Sequence, residues 1–353
     1  MKKILALTAA LAVGILGAAF AVPVAASPEM ALAMFEPESL GMMGMAGMIV
    51  NKESLDGLSR NIKATFQKAF DAVTGGWQDT TMIVPSTGSE NDYKWLTGWK
   101  GMKKWIGDKV INALKANNYV VANEDFEDTI EVDRNDIEDG NLGGYSIQAA
   151  ASGESGAELY DELDADAKNG AFTNKCYDGQ FYYDTDHPVE DANGDVQSVS
   201  NKGTAALSSA TVAAARASYG AARTAIMKFT RDGGKPLGLM PDTLEVGPAL
   251  EDVARVLLEN DELDDGTKNP YKGTAKLKVN TRITSDTQWM LHVTKRQMKP
   301  FIIQERKKPV FVAMDSADSP NVFLNRKFLY SVEARAASAY GLWQLSYGST
   351  GAG

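Results

Sequence analysis

The stretch FEDTIEVDRNDIEDGNLG, residues 126–143, changes its hydrophobic period partway along. Phe126, Asp128, Ile130 and Val132 share one face of an extended chain, and Glu127, Thr129, Glu131 and Asp133 share the other. That alternation is the signature of a strand with one wet face. At Asp136 it stops, and Asp136 is placed to begin a helix over 137–170. The apolar marks of that helix (Ile137, Leu142, Tyr145, Leu159, Leu163) are sparse, and Gly140, Gly143, Gly144, Gly153 and Gly156 weaken it. The expectation is a long, glycine-interrupted helix that bends.

On the N-terminal side, ESLDGLSRNIKATFQKAFDAV (53–73) carries Leu55, Leu58, Ile62, Phe66, Ala69, Phe70 and Val73 at spacings of three and four. This predicts an amphipathic helix, with Asn51 as its cap and Gly75-Gly76 as its end. Met82 to Val84 reads as a short strand. Residues 93–118 interleave Trp95, Trp99 and Trp105 with lysines. Such a segment can bind single-stranded nucleic acid, but snorkelling lysines over a partly buried face are the simpler reading.

On the C-terminal side, an alanine-rich helix is expected over 205–229 and a turn at Asp232-Gly233-Gly234. Leu244 to Val246 reads as a strand. A helix follows from Pro248, with Leu250, Val253, Ala254, Leu257 and Leu258 on one face. Leu277, Val279, Thr281 and Ile283 alternate as a strand. Phe301–Ile303 and Val310–Val312 read as two strands around a charged turn, and the chain ends in alternating and aromatic residues. Helices and strands mix without a regular βαβ rhythm, so the fold class is α+β.

The chain of 353 residues has a net charge of −10 and a single cysteine. That excludes an internal disulfide framework and a multi-cysteine zinc site. An acidic chain is a poor default binder of nucleic acid. The first 47 residues differ from the rest: Lys2 and Lys3 precede an apolar run from Ile4 to Ala21, with small-residue cleavage patterns at Ala19-Phe20-Ala21 and Val24-Ala25-Ala26. This is either a secretory leader or a start-site artefact, with Met48 as the true first residue.

The chemical candidates centre on CYDGQFYYDTDHPVED (176–191). Cys176 and His187 can meet across a hairpin as a nucleophilic pair, although a structural role is the commoner fate of such residues. Asp191, Asn193 and Asp195 offer oxygens at alternate positions, as in a calcium loop. Val196 and Lys202 stand where that loop needs Gly and Glu, so the motif fails and an irregular divalent-ion site stays open as the alternative. Asn193-Gly194 reads as a tight turn. Nucleotide-binding, zinc-protease and serine-hydrolase motifs are absent, so no catalytic, cofactor-binding or metal residue is assigned.

From MIVNKESLDGL to its last residues, the body resembles the major head subunits of Mu-like phages and prophages, a branch of the Hong Kong 97-type capsid proteins. The marks are MIVPS (82–86), WIGDKV (105–110), residues 126–143, CYDGQFYYDTDHP (176–188), GKPLGLMPDTLEVGPALEDVARVLL (234–258) and AYGLWQLSYGS (339–349). The resemblance implies a structural, non-enzymatic shell protein without cofactor that assembles with itself into pentamers and hexamers. Scaffold, head protease and portal proteins are its implied partners, and packaged DNA is enclosed without sequence-specific binding. Segments such as Lys100 to Lys109 or Lys295 to Lys308 could face that DNA or make intersubunit pairs. It implies no membrane for the mature body, assembly in the bacterial cytoplasm, and therefore a start at Met48.

The resemblance also assigns segments: 1–47 outside the fold, 48–78 an N-terminal arm helix, 79–134 an extended β-hairpin loop, 135–174 the spine helix of a peripheral domain. Residues 175–300 are mainly an axial domain, and 301–353 are strands completing both sheets. Residues 176–188 become an architectural signature after the spine helix, with packed aromatics and acids turned to subunit contacts or water. A host-encoded nanocompartment shell of the same fold, and an exported surface or periplasmic protein, are the alternative functions.

Overall fold

The computed structural model describes residues 49–98, 119–207, 212–262 and 266–353. The leader-like segment 1–47, Trp99, Trp105, WIGDKV and Lys100 to Lys109 lie outside the described residues. Helix α1 (Lys52–Ala72) starts at Asn51, whose Oδ1 accepts from the Ser54 N–H at 2.8 Å while its own N–H donates to Ser54 Oγ at 3.0 Å. The reciprocal cap satisfies two otherwise unpaired amides. Its inner face buries Leu55, Leu58, Ile62 and Phe66.

Strands β1 (Thr81–Pro85), β2 (Glu90–Asp92), β3 (Val120–Ala122) and β4 (Glu124–Asp133) follow. The helix expected over 137–170 is two helices: α2 (Arg134–Glu138), capped by the Asp133 side chain, and α3 (Gly143–Asn169). Gly140 separates them at φ +73°, a left-handed conformation that glycine adopts without strain. The two interior glycines serve close packing. A Cβ on Gly153 would stand 2.4 Å from the Phe66 carbonyl oxygen, and one on Gly156 would stand 3.3 Å from Val332 Cγ2.

Next come β5 (His187–Glu190), β6 (Val196–Val199), β7 (Lys202–Gly203), α4 (Val212–Lys228), β8 (Thr230–Arg231), β9 (Lys235–Pro236), β10 (Thr243–Val246) and α5 (Glu251–Glu259). Residues 205–207 are not helical, so the described part of the alanine-rich helix starts later than expected. Leu207 leaves the helical pattern and is buried in the main core. Strand β11 (Lys276–Val279) stops short of Ile283, because Asn280 Oδ1 accepts from the Arg282 N–H at 3.0 Å and turns the chain. The chain ends with β12 (Trp289–His292), β13 (Phe301–Met314), α6 (Pro320–Asn325), β14 (Lys327–Tyr340) and β15 (Ser346–Ser349).

The charged turn expected inside β13 does not exist: the strand runs through it. Register shifts between Glu305 and Lys307 and between Lys307 and Val310 absorb the irregular pairing around Pro309. Lys307 pairs with Glu333 across the ladder at 2.6 Å. The four consecutive charges from Glu305 to Lys308 fall on both faces: Arg306 and Lys308 are exposed, while Glu305 and Lys307 are half-buried against Tyr160 and Glu333.

Two sheets organise the fold. One has the order β1-β13-β14-β4 and the other β11-β10-β12-β15-β7. The helix α3 lies on β4, β13 and β14, with α1 against it. Leu159 and Leu163 of α3 meet Ile303, Ala334 and Ala336. The largest core gathers Tyr182, Tyr183, Tyr219, Leu257, Trp289 and Trp343 with the buried strands β10 and β12. The C-terminal segment serves both sheets, β13 and β14 in the first and β15 in the second.

Candidate functional site

The structure brings Cys176 and His187 together, with Asp178 between them. An isolated bridge from Lys175 to Phe181 closes a tight loop, and Gly179 takes φ +91° within it. Asp178 folds back inside. Its Oδ1 accepts from Cys176 Sγ at 3.1 Å and from the Gln180 N–H at 3.1 Å, and its Oδ2 takes His187 Nδ1 at 2.7 Å. The sulfur, a carboxylate oxygen and a ring nitrogen lie within 4.8 Å of one another.

His187 is fully buried, stacked on Trp343 at 4.1 Å. Its Nε2 lies 3.1 Å from Asn201 Oδ1. The amide orientation of Asn201 is set by its other bonds: Nδ2 donates to the Tyr182 carbonyl at 2.8 Å, and Oδ1 accepts from the Asp184 N–H at 2.9 Å.

This arrangement favours the neutral thiol over the thiolate. Burial, reinforced by the Asp178 carboxylate, pushes the Cys176 thiol well above its ordinary value. Burial would raise Asp178 as well, but its bonds to His187 and Cys176 outweigh that and hold it below the ordinary carboxylate range. The thiol hydrogen is thus held on a carboxylate, and the imidazole that would remove it is engaged by the same group.

The remaining expectations for this stretch divide. Tyr177, Tyr182 and Tyr183 are buried, but Phe181 is 38% exposed. Among the acids, Asp178 turns inward. The oxygens considered for calcium shape a turn instead: Asp191 accepts from the Asn193 and Asp195 N–H groups at 2.8 and 3.0 Å, which holds its pKa below the usual range. Gly194 completes that turn at φ +92°. The segment from Lys295 to Lys308 is not one free basic face, since Lys307 is paired with Glu333.

A second buried cluster, missed in the sequence, joins the two sheets. Lys168 Nζ, fully buried near the end of α3, reaches Asp164 Oδ2 at 2.5 Å, Glu245 Oε1 at 2.8 Å and Thr80 Oγ1 at 2.9 Å. Lys278 adds a second ammonium 3.4 Å from Glu245, and Thr81 donates to Asp164. His292 Nε2 stands 3.3 Å from Glu245 Oε2, off the axis of a hydrogen bond, and its Nδ1 contacts Ser346 Oγ at 2.9 Å.

Burial alone would lower Lys168 and raise Glu245. Their mutual attraction, with Asp164 on one side and Lys278 on the other, reverses both shifts. Two ammonium and two carboxylate groups balance with His292 neutral, a condition under which buried charges are tolerable. The one signal in the sequence is Glu245 itself, a carboxylate inside the apolar strand TLEV, buried along its whole length. Its partners come from other elements, which periodicity cannot pair.

Among the described residues, no helix is long and apolar enough to cross a membrane. Comparison with known proteins places the chain. It matches the family described as Mu-like prophage major head subunit gpT over residues 55–212, 205–283 and 278–352. It is 27% identical over 295 residues to the Mu-like prophage FluMu major head subunit of Haemophilus influenzae, covering 84% of this chain and 71% of that protein. It is 27% identical over 302 residues to the major capsid protein of Escherichia phage Mu, covering 85% and 74%.

Among solved structures, the procapsid protein of bacteriophage JBD30 aligns with a TM-score of 0.53 and 26% identity, over 85% of this chain and 76% of that one. The JBD30 capsid decorated with minor capsid protein trimers aligns at 0.50 and 21% identity, over 71% and 100%. The fold is the Hong Kong 97-type capsid fold in its α+β form, and the chain belongs to the Mu-like prophage major head subunit gpT family.

Proposed function

We propose that this major head subunit forms the icosahedral shell of a Mu-like phage by assembling with itself into pentamers and hexamers in the bacterial cytoplasm, around DNA that it does not read. The observation that carries this reading is the family match running from residue 55 to residue 352. A closed lattice needs only many copies of modest heterologous contacts, each using two faces of one subunit. The role is structural and needs no catalytic residue, in keeping with the Cys176 and His187 geometry. Scaffold, head protease and portal proteins are the partners that such assembly calls for.

The segment roles proposed here are those that the resemblance to the family implies. Residues 48–78 act as the arm helix. Residues 79–134 form the extended loop, whose base is the β2–β3 pair with Glu90 opposite Ala122. Residues 135–174 are the spine, 175–300 are mainly the axial domain around the five-stranded sheet, and 301–353 finish both sheets. Phe323 and Leu324 on α6, 85% and 73% exposed, are apolar surface that a neighbouring copy of the chain would cover.

The test is to express the chain alone and with a scaffold candidate from its own phage cluster, then examine the fast-sedimenting fraction by electron microscopy. Icosahedral shells built from this chain are expected. A chain that stays monomeric in both conditions, with its fold intact by circular dichroism, overturns the shell reading.

A further inference from the structure

Cys176, Asp178 and His187 present a thiol sulfur, a carboxylate oxygen and a ring nitrogen within 4.8 Å of one another between the 176–181 loop and β5, with Asp178 bonded to the other two. Sulfur, nitrogen and oxygen donors together match zinc, whose sites draw on all three, and do not suit calcium or magnesium, which take oxygen. Two further observations point the same way.

The first is the second shell. A zinc-ligating histidine donates its other ring N–H to an acceptor that fixes its tautomer. Here that acceptor is in place: Asn201 Oδ1 sits 3.1 Å from His187 Nε2, and the Asn201 amide is held in this orientation by its bonds to Tyr182 and Asp184. With hydrogen on Nε2, the lone pair of Nδ1 faces Asp178 and Cys176. Trp343 stacks on the ring and holds its plane.

The second is charge. A divalent ion held by a thiolate, a carboxylate and a neutral imidazole makes a site with no net charge, which a buried pocket can hold without stranding a charge. The ion displaces the thiol hydrogen from Sγ and any hydrogen on Nδ1, with no change of oxidation state.

We propose that Cys176, Asp178 and His187 form a zinc-binding site that staples the loop after α3 to β5, with one Asp178 oxygen turned to the sulfur and the other to the ring nitrogen. This goes beyond the role as a head subunit and does not depend on it. The sequence alone assigned no metal ligand here, since one cysteine and one histidine eleven residues apart match no zinc spacing.

The test uses the untagged full chain, freed of metal by chelator and loaded with Co²⁺ or Zn²⁺. One equivalent of Co²⁺ is expected to give a thiolate-to-cobalt charge-transfer band, bleached by Zn²⁺, together with a rise in the unfolding midpoint that chelator reverses. Cys176→Ser is expected to abolish the band and weaken binding by at least about 100-fold, with the far-ultraviolet circular dichroism unchanged. Asp178→Asn provides a second variant should Cys176→Ser fold poorly, and is expected to weaken binding by at least about tenfold. Failure of the folded wild-type chain to develop the band, or equal metal binding by the wild type and a folded variant, overturns the proposal.

Discussion

Gly153 of α3 faces the backbone of α1 so closely that a Cβ there would stand 2.4 Å from the Phe66 carbonyl oxygen and 3.1 Å from Ala69 Cβ. Helix propensity favours alanine over glycine by about 1 kcal/mol, yet here the obstacle is backbone and cannot swing away. Gly153→Ala is expected to destabilise the subunit by about 1–3 kcal/mol through overpacking. Gly57→Ala in α1, where nothing lies within 4 Å of the added methyl, is expected to stabilise by about 0.5–1 kcal/mol. Urea unfolding of unassembled subunits measures both. Equal effects would mean that α1 does not pack against α3 at Gly153.

Lys168 is the cation between two buried carboxylates. Lys168→Met removes it and leaves Asp164 and Glu245 with Lys278 as the one ammonium beside them, standing farther off, and with the neutral donors Thr81 and Asn280. The expected loss is about 3–5 kcal/mol, read from unfolding followed by the buried tryptophans Trp289 and Trp343. A loss below 1 kcal/mol would show that water reaches the cluster.

The same cluster sets an acid limit. Burial holds His292 below its ordinary value of 6.5, and Lys168 and Lys278 add to this against the pull of Glu245. The unfolded chain therefore takes up a proton near that value which the native chain refuses. Stability is full above pH 6.5 and declines as the pH falls below it. Glu245, held well below its ordinary 4.5, adds a second loss of the same sign at lower pH. Lys168 works at the other extreme, since its raised pKa loses stability only in strong alkali. His292→Gln is expected to flatten the first decline and keep the second, measured as unfolding free energy against pH.

Phe323 and Leu324 carry no core packing, so Phe323→Ser with Leu324→Ser is expected to change subunit stability by no more than about 0.5 kcal/mol. If a neighbouring copy covers them, shell yield falls severalfold in sedimentation while the unfolding midpoint stays put. Unchanged yield would place the subunit contacts elsewhere.

Much of the architecture was legible in the chain. The period of two at 126–133, the Asn51 cap, the face of α5 and the Asp232-Gly233-Gly234 turn are local features, fixed by side chains a few residues apart, and all stand as read. The ordered marks across residues 55–352 carried the family and with it the fold. What local reading could not supply was anything that depends on a partner distant in the chain. Glycines 153 and 156 looked like points of bending because their neighbours in α1 and β14 were not in view. The run ERKKP looked like a turn because the paired strand β14, which keeps it extended, lies beyond it. Lys168 and Glu245 are 77 residues apart, and Asn201, which meets His187 directly, is held in place by the carbonyls of Tyr182, Trp343 and Ser346. Periodicity records which side of an element is buried. Which charge or donor waits on the other side of that contact is decided only when the sheets close on each other, because a buried polar group is stable only with its partner in place.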